Sequence, residues 1–232
     1  INNFKGKVEF KNVTFGYSID NPVLKNINLT IQPGEKVAFV GATGSGKSTI
    51  ISLIERFYDV DEGEIRIDGI NIKQLEQNRL RKHLATVLQE VYLFSGTIKS
   101  NITLGDESIT DEEINKAIDN VGLKPFINSL PLGINHPVNE RGTTLSTGQK
   151  QLISFARALV YNPELLMLDE ATSSVDTHTE ILIQNAINKL IENRTSIIIA
   201  HRLSTIQKCD KIIVMHKGEI KERSEEHTSE LQ

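Results

Sequence analysis

One glycine-rich loop and four polar side chains at the ends of apolar runs carry the chemistry legible in this chain. The loop is Gly41-Ala42-Thr43-Gly44-Ser45-Gly46-Lys47-Ser48, which fits G-x-x-x-x-G-K-[ST]. Such a loop turns backbone N–H groups toward a nucleotide's phosphates, and its lysine supplies the counter-charge. Residues 36–40 before it read as a buried strand and residues 48–54 after it, Thr49 included, as a helix. The loop therefore sits where phosphate binding requires it, with the partial positive charge of a helix start beside it. A glycine-rich turn without chemistry is the competing reading. With Gly at about 7% of residues, the pattern arises by chance in roughly one chain in a hundred of this length, and the strand–loop–helix setting lowers that further.

The run Leu165-Leu166-Met167-Leu168 ends in Asp169-Glu170. Beside a phosphate loop, the first acid of such a strand end holds Mg²⁺, and the second can polarise an attacking water. Gln89 closes another expected strand, where a neutral amide can touch both metal and water. His201 follows Ile197-Ile198-Ile199-Ala200 and closes a third. Each has a plainer reading, a solvated strand end for the acids and a structural side chain for Gln89 or His201. Polar residues closing three apolar strands converge on one crevice at the carboxyl edge of a sheet.

The elements that must position these groups follow from periodicity. Residues 7–17 alternate Val8, Phe10, Val13 and Phe15 with polar neighbours, a half-buried strand. Residues 24–31 and 64–69 read as strands, with turns at Asp20-Asn21-Pro22 and Pro33-Gly34-Glu35. A charged helix is expected over 73–83 and a strand over 84–89. From 97 to 130 the pattern is mostly helical, with a capping box at Thr110-Asp111-Glu112-Glu113, and 146–161 is a helix. Apolar strands follow at 165–168, 196–200 and 211–215, with a helix near 178–192. Alternating helices and continuously apolar strands imply an α/β fold with a parallel sheet buried on both faces. The helical stretch 97–160 breaks that alternation and reads as an insertion.

The length of 232 residues suits one large domain or two lobes sharing a core. No run approaches the roughly 18 apolar residues that span a bilayer, and no signal peptide opens the sequence. The single Cys209 excludes an internal disulfide. A formal net charge of −4 argues against nucleic acid as the main partner. The last ten residues, Arg223-Ser224-Glu225-Glu226-His227-Thr228-Ser229-Glu230-Leu231-Gln232, match an in-frame translation of a common sequencing adapter. Residues 223–232 are therefore expected to be a non-native tail, and leaving them out moves the net charge to −2.

The segment Leu145-Ser146-Thr147-Gly148-Gln149 brings these signals together. It resembles the L-S-G-G-Q signature of ABC transporter nucleotide-binding domains in four of five places, about a hundred residues after the phosphate loop and some twenty before Asp169. Ser173-Ser174-Val175-Asp176 resembles that family's D-loop, and Ala200-His201-Arg202-Leu203-Ser204-Thr205 its switch-histidine segment. Leu88-Gln89-Glu90-Val91-Tyr92-Leu93-Phe94-Ser95-Gly96-Thr97-Ile98 and Asn139-Glu140-Arg141-Gly142 look like the exporter versions of two further segments, the first meeting the membrane domain. The resemblance covers residues 1–222. It implies a P-loop NTPase (RecA-like) core, an N-terminal antiparallel β subdomain and a helical subdomain inserted at about 90–160.

What the resemblance implies for function is an ATPase with ATP and Mg²⁺ as ligands, working as a head-to-tail dimer. The second nucleotide-binding domain is an identical or a different chain. Lys47 would pair with the β- and γ-phosphates inside the cradle of Gly41 to Thr49. Ser48, Gln89 and Asp169 would complete the metal shell. Glu170 would be the general base, and His201 would hold the γ-phosphate. Ser146, Gly148, Gln149 and Asp176 would meet the nucleotide held by the opposing subunit. Tyr17 falls where the family stacks an aromatic ring on adenine; without the resemblance it reads as a half-buried strand tyrosine. Six membrane helices would precede Ile1 in the same polypeptide, which places the domain at the cytoplasmic face of the cell membrane. Chromosome-maintenance relatives would need a long coiled coil between the two halves, and translation-associated relatives would lack the exporter segments. An inactive regulator would be expected to lack Glu170 or His201.

Thr147 departs from the family's glycine. A β-branched residue restricts the backbone and resists positive φ. The departure suggests one half of a heterodimeric exporter with unequal ATP sites.

Overall fold

The computed structural model describes residues 4–18, 20–169 and 176–224. In chain order it begins with β1 (Val8–Phe15), β2 (Leu24–Ile31), β3 (Lys36–Val40), α1 (Lys47–Ile54), β4 (Glu62–Ile67) and β5 (Ile70–Asn71). Next come α2 (Gln77–Arg81), β6 (Leu84–Val87), β7 (Gly96–Thr97), α3 (Ile98–Thr103), α4 (Asp111–Asn120), α5 (Lys124–Ser129) and β8 (Pro137–Val138). The chain continues through α6 (Thr147–Val160), β9 (Leu165–Asp169), α7 (Thr177–Ile191), β10 (Thr195–Ile199), α8 (Leu203–Ile206), β11 (Lys211–His216) and β12 (Glu219–Ser224). Its described residues divide into two compact units, those within 1–86, 163–170 and 193–232 in one and those within 87–162 and 171–192 in the other. Among the described residues, no helix is long and apolar enough to cross a membrane.

The first unit carries two sheets. One has the order β12-β11-β3-β10-β9-β6, and β10 pairs parallel with both β3 and β9. Every residue of β10 is buried, as are the first four of β9. That is why both sequences are apolar without alternation: neither face meets water. β11 pairs parallel with β3, and β12 adds an antiparallel edge strand that includes Arg223 and Ser224.

The second sheet, β2-β1-β4-β5, is antiparallel. Its strand β1 alternates as the sequence does, with Val8, Phe10, Val13 and Phe15 buried. The β1 register shifts between Phe10 and Val13, and Asn12 takes φ 50° there. A bulge of this kind bends the strand. Opposite it lies Gly63 at φ 76°, where an added Cβ would strike the Lys11 and Asn12 carbonyls. Only glycine fits that corner.

Several boundaries differ from the periodicity. β1 ends at Phe15, so Tyr17 lies beyond the strand and is exposed, unlike a half-buried strand tyrosine. The helix expected over 73–83 is a 3₁₀ turn at Ile72–Gln74 and then α2, broken by Leu75 and Glu76 in extended conformation. β6 stops at Val87, two residues short of Gln89. β10 stops at Ile199.

In the second unit α6 packs against α3, α4 and α7. Buried Leu152, Ile153, Phe155 and Ala156 supply its core face. Thr110 and Glu113 form the expected capping box on α4. Burying a side chain such as Phe155 contributes about 1.5–3 kcal/mol, more than the α4 cap, which is worth about 1 kcal/mol.

At the far end of α1, half-buried Glu55 accepts a 2.7 Å hydrogen bond from Thr86 Oγ1, and its carbonyl accepts one from Arg81 Nε at 3.2 Å. Burial pushes the Glu55 carboxyl above its ordinary value, and the Thr86 bond and the Arg81 charge pull back only part of that. The folded state thus binds this proton more tightly than the unfolded chain does. The resulting stability is full below the ordinary value of 4.5 and is lost as pH rises through the raised one. Glu55→Gln keeps an acceptor for Thr86 and removes the cost of burying a charge. It is expected to raise the thermal midpoint at pH 8, and the gain should shrink to nothing below pH 4.5. Thermal melts of both proteins across that range check this.

Candidate functional site

The phosphate loop leaves β3 and enters α1 in the first unit. Gly46, at φ 103°, is the N-cap of α1 and offers no side-chain cap, so the first N–H groups of the helix keep no side-chain partner there. Such donors, with the helix dipole behind them, are an anion site. An added Cβ at Gly46 would come within 2.6 Å of Leu24 Cδ2, and at Gly41 it would strike the Met215 carbonyl. Gly44 has open space, and its φ of 79° is what asks for glycine.

Lys47 is 7% exposed. Its Nζ donates to the Gly41 carbonyl at 2.8 Å, the Ala42 carbonyl at 3.0 Å and Ser45 Oγ at 3.4 Å. Burial lowers its pKa, and the charge of Asp169 partly offsets that. Ser48 Oγ donates to Asp169 Oδ2 at 3.2 Å. Two oxygens on adjacent corners of an octahedron at 2.0–2.1 Å from Mg²⁺ lie about 3 Å apart, so this hard-oxygen pair fits that ion. Burial raises the Asp169 pKa, against the Ser48 bond and the nearby charges of His201 and Lys47.

Strand register explains this meeting. Ile199 pairs with Phe39 on one side and Asp169 on the other. The phosphate loop, which follows Phe39, and His201, which follows Ile199 and Ala200, therefore start from the edge of the sheet where Asp169 sits. Tyr17 lies in the same unit, with its hydroxyl 3.2 Å from Thr49 Oγ1 on α1.

The second unit brings the signature together. Ser146 is the N-cap of α6, its Oγ accepting from Gln149 N–H at 3.2 Å while Gln149 Oε1 accepts from Ser146 N–H at 2.9 Å. This capping box is the S-x-x-Q spacing, a signal the sequence carried and the periodicity reading passed over. Buried Gly148 abuts Thr179, whose methyl an added Cβ would strike. Thr179 N–H in turn donates at 3.0 Å to Oδ1 of Asp176, the N-cap of α7. The starts of α6 and α7 are thus locked side by side.

Thr147 corrects the expectation of strain. It is the first residue of α6, and no positive φ occurs there. A β-branched residue fits an N1 position without cost in backbone torsion.

Gln89 is exposed, beyond β6, and belongs to the second unit. The segment after it is held by buried Asn101, whose Oδ1 accepts from Phe94 N–H at 2.8 Å. Asn101 Nδ2 donates to the Phe94 and Thr97 carbonyls. Arg157 Nε on α6 donates to the Asn101 carbonyl at 2.8 Å. Leu88, Tyr92 and Phe94 stay exposed. Glu170 and Ser173-Ser174-Val175 lie outside the described residues.

A glycine-rich loop opening a helix, with a strand-end aspartate on its serine, defines the class: a phosphate-loop nucleotide-binding α/β domain. The model of the family described as ABC transporter matches residues 24–173. The chain belongs to the ABC transporter family, as its ATP-binding domain. It is 54% identical over 218 residues to a "Probable multidrug resistance ABC transporter ATP-binding/permease protein" of Bacillus subtilis, YheH, covering 94% of this chain and 32% of that protein. An "ATP-dependent lipid A-core flippase" of Saccharophagus degradans is 48% identical over 224 residues, 97% of this chain and 38% of the relative. Among solved structures, a bacterial Atm1-family ABC exporter with ATP bound superimposes with a TM-score of 0.87 at 42% identity, over 94% of this chain and 38% of the other. The chain thus spans about a third of the length of the curated relatives it matches.

Gly148→Ala is expected to destabilise the protein by about 1–3 kcal/mol through overpacking. Adding Thr179→Ser, which removes the struck methyl and leaves the N–H bond to Asp176, should restore most of the loss. Denaturant midpoints of the single and double variants measure both effects.

Proposed function

We propose that this chain binds Mg²⁺-ATP at the phosphate loop and hydrolyses it to power an exporter whose membrane-spanning domain lies on the same polypeptide, at the cytoplasmic face of the cell membrane. The observation that carries the reading is the Ser48–Asp169 hydrogen bond beside the buried Lys47. The membrane partner is supported by the ATP-binding/permease description of the multidrug-type relative and by the third of its length that this chain spans.

In this reading Lys47 pairs with the β- and γ-phosphates, and the N–H groups from Gly41 to Thr49, through Thr43, Gly44, Ser45 and Gly46, line the phosphate chain. Ser48 and Asp169 hold Mg²⁺ with help from Gln89. The ion, when bound, neutralises charge on the β- and γ-oxygens. Glu170 takes a proton from water as its oxygen attacks the γ-phosphorus, and the bond to the β-phosphate oxygen breaks. His201 holds the γ-phosphate in line. Tyr17 stacks on the adenine.

The phosphate loop and the signature belong to different units. A head-to-tail dimer lets each signature complete the other chain's site. Ser146, Gly148, Gln149 and the α6 helix start then meet the γ-phosphate across the interface, with Asp176 beside them. ATP holds the dimer closed and hydrolysis releases it. Pairing with a different chain has only the exposed Thr147 side chain in its favour, since its backbone is unstrained.

The Mg²⁺-ATPase rate per molecule should climb with protein concentration, as dimer formation requires, and fall about 10²–10⁴-fold in Glu170→Gln. ATP binding without turnover at any concentration would overturn self-pairing. A faster rate in the Thr147→Gly homodimer would favour a different partner; an unchanged rate, which self-pairing and the unstrained backbone predict, removes the case for one.

A further inference from the structure

The Tyr17 ring is held from three sides within the first unit. Phe15 meets it at 5.1 Å between centroids and an interplanar angle of 83°. Tyr58 meets it at 5.2 Å and 84°, and Phe15 and Tyr58 touch each other at 5.6 Å. The third hold is the Tyr17 hydroxyl, 3.2 Å from Thr49 Oγ1. Edge-to-face geometry matches the positive rim of one ring to the negative face of another, so two near-perpendicular neighbours fix the plane of the ring between them.

The backbone under this cluster is fixed by the same stretch of chain. Asp61 Oδ2 accepts from Gly16 N–H at 2.8 Å, and Asp61 N–H donates to the Thr14 carbonyl at 3.1 Å. Tyr58 follows the C-terminal end of α1, where Phe57 N–H closes onto the Ser52 carbonyl at 3.0 Å. One helix therefore opens on the phosphate loop, presents Thr49 to the Tyr17 hydroxyl, and runs out into the segment that delivers Tyr58 and Asp61. Tyr17 is nonetheless 56% exposed and Tyr58 48% exposed. A packing device for the core would bury these rings. Here the orientation is fixed while much of the Tyr17 surface stays accessible.

We propose that Tyr58 is a positioning residue for nucleotide binding: it holds the Tyr17 ring in the plane that receives a purine base, at a set place relative to the phosphate loop. The proposal rests on the reading of Tyr17 as the adenine platform. A platform ordered before the base arrives loses less side-chain freedom on binding. Tyr58 therefore acts on affinity for base-bearing ligands, and not on the phosphate site or on turnover at saturation.

The test is equilibrium binding of Mg²⁺-ATP and of inorganic triphosphate, which has no base, to this chain and its variants. Tyr58→Leu, which keeps an apolar side chain over Phe15, is expected to weaken ATP binding about 3- to 10-fold, the scale of one lost aromatic pair. Triphosphate affinity and kcat should be unchanged, and Tyr58→Phe should bind like the parent. Tyr17→Leu should weaken ATP by more. If Tyr17→Leu weakens ATP binding and Tyr58→Leu does not, the positioning role is overturned while the platform stands. If Tyr17→Leu itself leaves ATP affinity untouched, the platform reading fails and the proposal goes with it. Equal weakening of ATP and triphosphate in Tyr58→Leu would also overturn it, since that is the mark of damage to the loop or fold.

Discussion

Parallel pairing of β10 with β3 and β9 in one register constrains the rest of this domain. A parallel strand carries every side chain into protein on both faces, so it can place polar chemistry only past its end. With Phe39, Ile199 and Asp169 aligned across three neighbouring strands, the segments that follow β3 and β10 leave from the edge where Asp169 sits. Ser48 reaches Asp169 across 121 residues of sequence because of that alignment. The burial that makes the strands stable also raises the Asp169 pKa and lowers that of Lys47. Stability and charge tuning therefore share one kind of physical source, burial away from water, in the strands for the first and at the Asp169 and Lys47 side chains for the second.

The helical unit solves a different problem, holding helix starts in place with no more sheet among the described residues than the short antiparallel β7–β8 pair. It uses hydrogen bonds to backbone where the first unit uses strand register. Ser146 and Gln149 cap α6, Asp176 caps α7, and the missing side chain of Gly148 lets Thr179 approach. Asn101 satisfies backbone groups of Phe94 and Thr97, and Arg157 ties that turn to α6. Buried polar side chains of this kind are costly if unpaired, so each bond that is made also excludes alternative packings of the turn. The result is a surface segment with exposed Leu88, Tyr92 and Phe94 standing on a fixed base.

By itself the sequence determined the family and the class of fold. The phosphate loop, the Asp169 and His201 strand ends and the signature were legible because each depends on local spacing, and the apolar strands because burial on both faces leaves no alternation. The Ser146–Gln149 cap was also written there as a local pattern. Only the tertiary structure decided what depends on neighbours distant in the chain. It ended β1 at Phe15 and so put Tyr17 outside the strand, where Tyr58 and Thr49 could hold its ring. It broke the helix expected over 73–83 and ended β6 before Gln89. It placed Thr147 at the first turn of a helix, where a β-branched residue bears no strain. Periodicity reports which face of an element is buried, whereas boundaries, registers and ring contacts are set by what lies against that face, and no local window of sequence contains it.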